Sequence, residues 1–128
     1  MIAGPALVSI LRQGPYLIAS VNTALDDSQM IRFQKDLIAQ IGRHRSIGVV
    51  IDVAALDVID SFGCRTLRSI AEMARLRGAL TALVGIQPSV AFTMVALGMG
   101  SGRIHTALDL GEGLAYLDSQ LLYPRHTI

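Results

Sequence analysis

Apolar and polar positions change period several times along this chain, and each change marks an element. Residues 6–12 and 16–21 are β-rich runs separated by Gln13-Gly14-Pro15, a turn signal that predicts a hairpin of two short antiparallel strands. From Asp26 or Asp27 the spacing becomes helical. Met30, Phe33, Leu37 and Ile41 recur on one face, with Ile31 and Ile38 beside them, while Arg32, Lys35, Asp36, Gln40 and Arg43 take the other. The paired aspartates suit the N-cap and first turn, where they meet the positive end of the helix dipole. After His44-Arg45, residues 47–53 form a near-continuous β-branched run, which is how a central strand covered on both faces reads.

A second helix opens at Ser61. Leu67, Ile70, Ala71 and Ala74 face inward, Arg65, Arg68, Glu72, Arg75 and Arg77 face outward, and Gly78 closes it. Residues 80–85 read as a further buried strand. Pro88 then stands where a first helical position tolerates a missing N–H, and a third helix runs to about Leu97. Residues 98–102, Gly-Met-Gly-Ser-Gly, form a flexible connection to an extended piece over residues 103–107. The fourth helix carries Asp109 and Glu112 at capping-box spacing and an apolar stripe of Leu114, Leu117 and Leu121, and residues 122–128 read as a frayed tail. The order β-β-α-β-α-β-α-β-α predicts a single α/β domain around a mixed sheet with right-handed helical crossovers.

Composition narrows the class of function. At 128 residues one core suffices, and about two thirds of the unfolded surface can be buried. Hydrophobic residues make up 52% and charged residues 16%, which leaves little charge to cover the outside and points to assembly. Every apolar stretch is broken by charge, Gly or Pro well short of the roughly 18 residues of a membrane span. The first residues, with Arg12 interrupting the first apolar run, lack the form of a secretion signal, so a cytoplasmic protein is expected. The single cysteine, Cys64, cannot form an internal disulfide, and a net charge of +1 supplies no field for nucleic acid or anionic lipid. No nucleic-acid or membrane partner is expected.

Convergent titratable groups are scarce. There is no phosphate-binding Gly-x-x-x-x-Gly-Lys-Ser/Thr loop, and the one lysine, Lys35, lies on an exposed helical face. Gly98, Gly100 and Gly102 follow a helix and precede a strand, the reverse of a dinucleotide-binding context. His44, His105 and His126 are too far apart for local metal spacing, so neither metal nor cofactor is expected. Cys64, in the first turn of the second helix, reads as a packing cysteine sooner than a reactive one. Asp52, Asp57 and Asp60 gather at the edge of the sheet where α/β ligands bind, and they leave open a small phosphotransfer or ligand-binding enzyme that uses Asp52 and Asp57. No lysine stands on a later strand to complete such a site.

The informative stretch is Asp57-Val58-Ile59-Asp60-Ser61-Phe62-Gly63, which delivers a hydroxyl to a helix start. Ser is a favoured N-cap, so Ser61 reads first as structural. Phe62, a large apolar residue just inside the helix, and the apolar excess shift the reading towards an interface. Ser89, after Pro88, reads as a residue that serves the backbone.

Residues 47–53 (Ile-Gly-Val-Val-Ile-Asp-Val), Val58-Ile59-Asp60-Ser61-Phe62 and residues 85–91 (Gly-Ile-Gln-Pro-Ser-Val-Ala), in that order, resemble the STAS domain family of sulfate transporters and anti-sigma factor antagonists, and most of all its short stressosome scaffolds. The resemblance covers residues 6–121. It implies a mostly parallel mixed sheet with helices packed largely on one face, and no catalytic residue. It also implies that Ser61 is phosphorylated by a serine/threonine switch kinase, with Asp57, Asp60, Ser61, Phe62 and Arg65 meeting partners. A short scaffold, with no room for a sensor domain before its first strand, would join a longer sensor-bearing paralogue in a large hetero-oligomer; a direct antagonist of an anti-sigma kinase is the alternative. Gly63-Cys64-Arg65 departs from the family pattern.

Overall fold

A computed structural model describes residues 6–99 and 104–122. The strands are β1 (Val8–Gln13), β2 (Tyr16–Val21), β3 (Gly48–Asp52), β4 (Leu80–Val84) and β5 (His105–Ala107), and the helices α1 (Asp27–His44), α2 (Ser61–Leu76), α3 (Pro88–Ala96) and α4 (Leu110–Leu121). They follow the expected order. One five-stranded sheet runs β1-β2-β3-β4-β5, antiparallel between β1 and β2 and parallel from β2 to β5. The hairpin forms because Gly14, at φ 58°, takes the left-handed conformation that its turn requires, which pairs Gln13 with Tyr16. β1 begins two residues later than the pattern suggested, and the last strand is confined to three residues. The tail beyond Leu122 and most of the glycine-rich connection lie outside the described residues.

Alternation along the strands divides the core in two. Leu17, Ala19 and Val21 of β2, Val49 and Ile51 of β3 and Leu83 of β4 pack with Met30, Phe33, Leu37 and Ile41 of α1 and with Leu67, Ile70 and Ala74 of α2. Val90 and Met94 of α3 join the same cluster. On the other face, Tyr16, Val50, Ala82 and Val84 meet Leu117 of α4. Three helices therefore cover one face and the fourth covers the other, which explains why β3 is apolar on both sides. Small residues let α4 approach. A Cβ on Gly113 would stand 2.7 Å from Val84 Cγ1, and one on Gly48 would stand 2.9 Å from the Tyr16 ring. Tyr16 then donates its hydroxyl to Asp118 Oδ1 at 2.7 Å, which ties α4 to β2.

Helix termini follow the sequence signals closely, with two exceptions. Asp26 caps α1 in a full capping box with Gln29, and the Gln29 amide with the Ser28 hydroxyl holds its carboxyl below the ordinary carboxylate range. Gly78 follows the C-cap of α2 at φ 86°. At α4, Asp109 accepts from the Glu112 N–H, yet Glu112 Oε2 reaches one residue past the cap to the Leu108 N–H. The larger correction concerns α2. Its N-cap is Asp60, whose Oδ1 accepts from the Gly63 N–H at 2.7 Å, and Ser61 is the first helical residue. Two good capping residues stand side by side here, and the carboxylate takes the role because a charged acceptor also meets the helix dipole. Among the described residues, no helix is long and apolar enough to cross a membrane.

Two stability outcomes follow. Gly113→Val forces a side chain into the α4–β4 contact and should lower unfolding free energy by about 1–3 kcal/mol in urea titration. Asp60→Ala removes the α2 cap and should cost about 1 kcal/mol, whereas Asp60→Asn, which can still cap, should cost much less; equal losses in the two variants would refute the capping role.

Candidate functional site: an exposed serine on a braced loop

Parallel strands β3 and β4 deliver their C-terminal ends to the same edge of the sheet, in register from Gly48 opposite Leu80 to Asp52 opposite Val84. The chain leaving β3 is held there from its first residues. Val53 N–H donates to the Val84 carbonyl at 3.0 Å, and Asp52 Oδ1 accepts from the Ala54 N–H at 2.9 Å in a local Asx turn. Val53 and Leu56 are buried, so the segment between β3 and α2 is anchored by side chains as well as by hydrogen bonds.

The start of α3 braces the same segment from the side. Gln87 is the N-cap of α3 yet its side chain makes no capping bond; it turns to the loop, where Nε2 donates to the Ala54 carbonyl at 2.7 Å. Ser89 Oγ donates to the Asp57 carbonyl, also at 2.7 Å. Ser89 is thus a backbone-serving residue as expected, although the backbone it serves belongs to the loop that carries Ser61. Gly85 makes this contact possible. Its φ is 77°, and a Cβ there would stand 2.8 Å from Ala54 Cβ and 3.0 Å from Asp52 Oδ1.

At the end of the braced loop, Asp57, Asp60, Ser61 and Arg65 are exposed, and Phe62 is half-buried against the core. The five residues expected to meet partners therefore share one helix start. Among the described residues the Ser61 hydroxyl makes no hydrogen bond, since Asp60 does the capping. Asp60 occupies the N–H groups of Gly63, through its side chain, and Cys64, through its carbonyl. The Ser61 and Phe62 N–H groups, as the first two of the helix, have no intrahelical acceptor. Gly63 is required here because a Cβ would meet Ile59 Cγ1 at 2.9 Å and Asp60 Oδ1 at 3.2 Å.

Cys64 points the other way. It is 1% exposed, and burial, with the Asp60 carboxylate adding to it, raises its thiol pKa, so it is a protonated packing residue. Asp52, Asp57 and Asp60 do not converge on an ion: among the described residues no group of three His, Cys, Asp or Glu could hold a metal. His105 stacks on Tyr116 with ring centroids 3.4 Å apart, His44 ends α1, and His126 lies outside the described residues. The sequence reading missed the braces. Gln87 and Ser89 reach backbone carbonyls more than thirty positions away, a pairing that no local pattern encodes.

Comparison with known proteins agrees with this geometry. The STAS domain model matches residues 8–113. Over 90 residues the chain is 31% identical to the RsbT co-antagonist protein RsbRA of Bacillus subtilis (strain 168), in an alignment covering 70% of this chain and 33% of that protein. The chain thus spans about a third of the length of that relative. A solved structure of RsbS from Moorella thermoacetica, in a serine-to-glutamate variant, superposes with a TM-score of 0.79 at 36% identity over 90% of this chain and 97% of that one. A chain in a structure of the molecular architecture of the stressosome, described as a signal integration and transduction hub, gives 0.73 at 33% identity over 88% and 97%. The expected likeness to stressosome scaffolds is borne out, and with the family model matching residues 8–113 this chain belongs to the STAS domain family.

Proposed function

We propose that this chain is a non-catalytic, RsbS-like stressosome scaffold and anti-sigma factor antagonist of the cytoplasm. It holds a serine/threonine switch kinase of the RsbT kind, joins a longer sensor-bearing paralogue of the RsbR kind in a large hetero-oligomer, and releases the kinase when Ser61 is phosphorylated. The observation that carries this reading is Ser61 itself: an exposed hydroxyl, free of the capping role, at the end of a loop fixed by Gln87 and Ser89. A kinase needs access to such a group, and a scaffold needs it to stay in place.

Magnitudes make a single phosphate sufficient. It brings about −1.5 to −2 charges at neutral pH, and the helix start favours it by roughly 0.3–1 kcal/mol, so the fold tolerates modification. A docked partner meets a new anion beside the carboxylates of Asp57 and Asp60, where like-charge and desolvation penalties reach several kcal/mol. About 2.8 kcal/mol already changes an equilibrium a hundredfold. Docking can be switched with no change of conformation.

Assembly has a surface available. No charged residue occurs between Arg77 and Arg103, and within that stretch α3 buries only Val90 and Met94 while Phe92 is 78% and Val95 68% exposed. An uncharged helix with an apolar outer face suits a protein partner. The alternative of direct anti-sigma kinase capture uses the same serine and differs in particle size. An aspartyl phosphotransfer reading has less support, since Asp52 is engaged by the Ala54 N–H and the three aspartates offer no metal donor set.

Ser61→Asp should weaken kinase capture by about tenfold to a hundredfold in calorimetry, while Ser61→Ala binds normally and cannot be switched off. A kinase that phosphorylates Ser61→Ala as readily as the parent protein would remove the assignment. Phe92→Asp should leave the single chain folded yet reduce the particle formed with a sensor-bearing paralogue, read by light scattering. Unchanged particle size would exclude α3 from the interface, and a small complex already in the parent protein would favour direct antagonism.

A further inference from the structure

We propose that Arg65 receives the phosphate placed on Ser61 of its own chain, so that modification withdraws a cation from the docking face while it adds an anion. This rests on the reading of Ser61 as the modified residue. Ser61 is the first residue of α2 and Arg65 lies four positions on, so the two share one face of the helix a single turn apart. Helical Cα–Cβ bonds tilt towards the N-terminus, which carries the long arginine side chain back over the turn that begins with Ser61.

Both side chains are unengaged. Ser61 and Arg65 are exposed, and among the described residues neither side chain makes a hydrogen bond or ion pair. Arg68, next along the same stripe, is half-buried and donates to the Gly98 carbonyl at 3.4 Å, which draws it towards the end of α3. The carboxylates nearest to Ser61 in sequence, exposed Asp57 on the braced loop and exposed Asp60 in the cap, both repel a phosphate. Arg65 is therefore the group placed to offset them. Its guanidinium can give two parallel N–H···O bonds to phosphate oxygens, which an ammonium cannot match geometrically. In the unmodified protein the same guanidinium faces outward and can meet an acidic group on a docked partner.

The contact can be tested without any kinase, in full-length protein carrying phosphoserine installed at position 61 during translation. Phosphorus NMR titration reads the second ionisation, ordinarily about 6, which a contacting cation lowers and the Asp57 and Asp60 carboxylates raise. Arg65→Gln should raise it by about half a unit, a roughly threefold change in the ionisation equilibrium, and Arg65→Lys should raise it less. Arg68→Gln should leave it closer to the parent value than Arg65→Gln does. Superimposable titrations for the parent and Arg65→Gln would overturn the proposal, as would equal shifts from Arg65→Gln and Arg68→Gln, which indicate a diffuse field in place of a contact. A kinase that ignores Ser61 would sink the functional reading and leave these titrations unaffected.

Discussion

Everything at the candidate site depends on the contact between two connections that leave adjacent parallel strands. The β3–α2 segment presents Ser61, and the β4–α3 turn steadies it through the Gln87 and Ser89 side chains. Each of these hydrogen bonds alone is worth on the order of 1 kcal/mol, yet each also satisfies a carbonyl that a loop at the sheet edge would otherwise leave to water. Gly85 is the geometric condition for both, because only a residue without Cβ lets the second connection lie against Ala54 and Asp52. Loops are usually the mobile parts of an α/β fold; here one is braced by hydrogen bonds and buried side chains beneath a hydroxyl.

Rigidity of that kind suits a switch that acts by charge. A flexible segment could swing its phosphate away from a partner and blunt the repulsion. A braced loop holds the Ser61 hydroxyl in one place, and the half-buried Phe62 and buried Leu56 keep both ends of the segment attached to the core. The division of roles between neighbours matters equally. Asp60 caps the start of α2, which leaves the Ser61 hydroxyl without a hydrogen bond among the described residues.

Most of the fold was legible from local pattern, and the reasons are physical. α1 was readable because Met30, Phe33, Leu37 and Ile41 repeat at helical spacing and all four are buried, and the β-branched run before Ala54 announced a central strand because both of its faces are covered. Two things were not legible. Local pattern could not assign α4 to the opposite face of the sheet, since that depends on Gly113 and Gly48 admitting it, and periodicity records that a helix is amphipathic without recording what it packs against. The cap of α2 falls one position before Ser61, because Asp60 and Ser61 both suit the role and the carboxylate also meets the helix dipole. Within the site, residue types identified Ser61 and its neighbours, whereas the side chains that hold the loop were visible only in three dimensions.

The outer face of α3 carries a consequence beyond docking. With Phe92 and Val95 open to water on α3, and Leu108 exposed before α4, a free copy carries apolar surface that makes it a troublesome solute. Orphan copies are expected to cluster through these side chains well before they unfold, so the ceiling on free subunit is set by colloidal behaviour. On the proposed assembly, a partner that covers α3 would also keep the subunit dispersed.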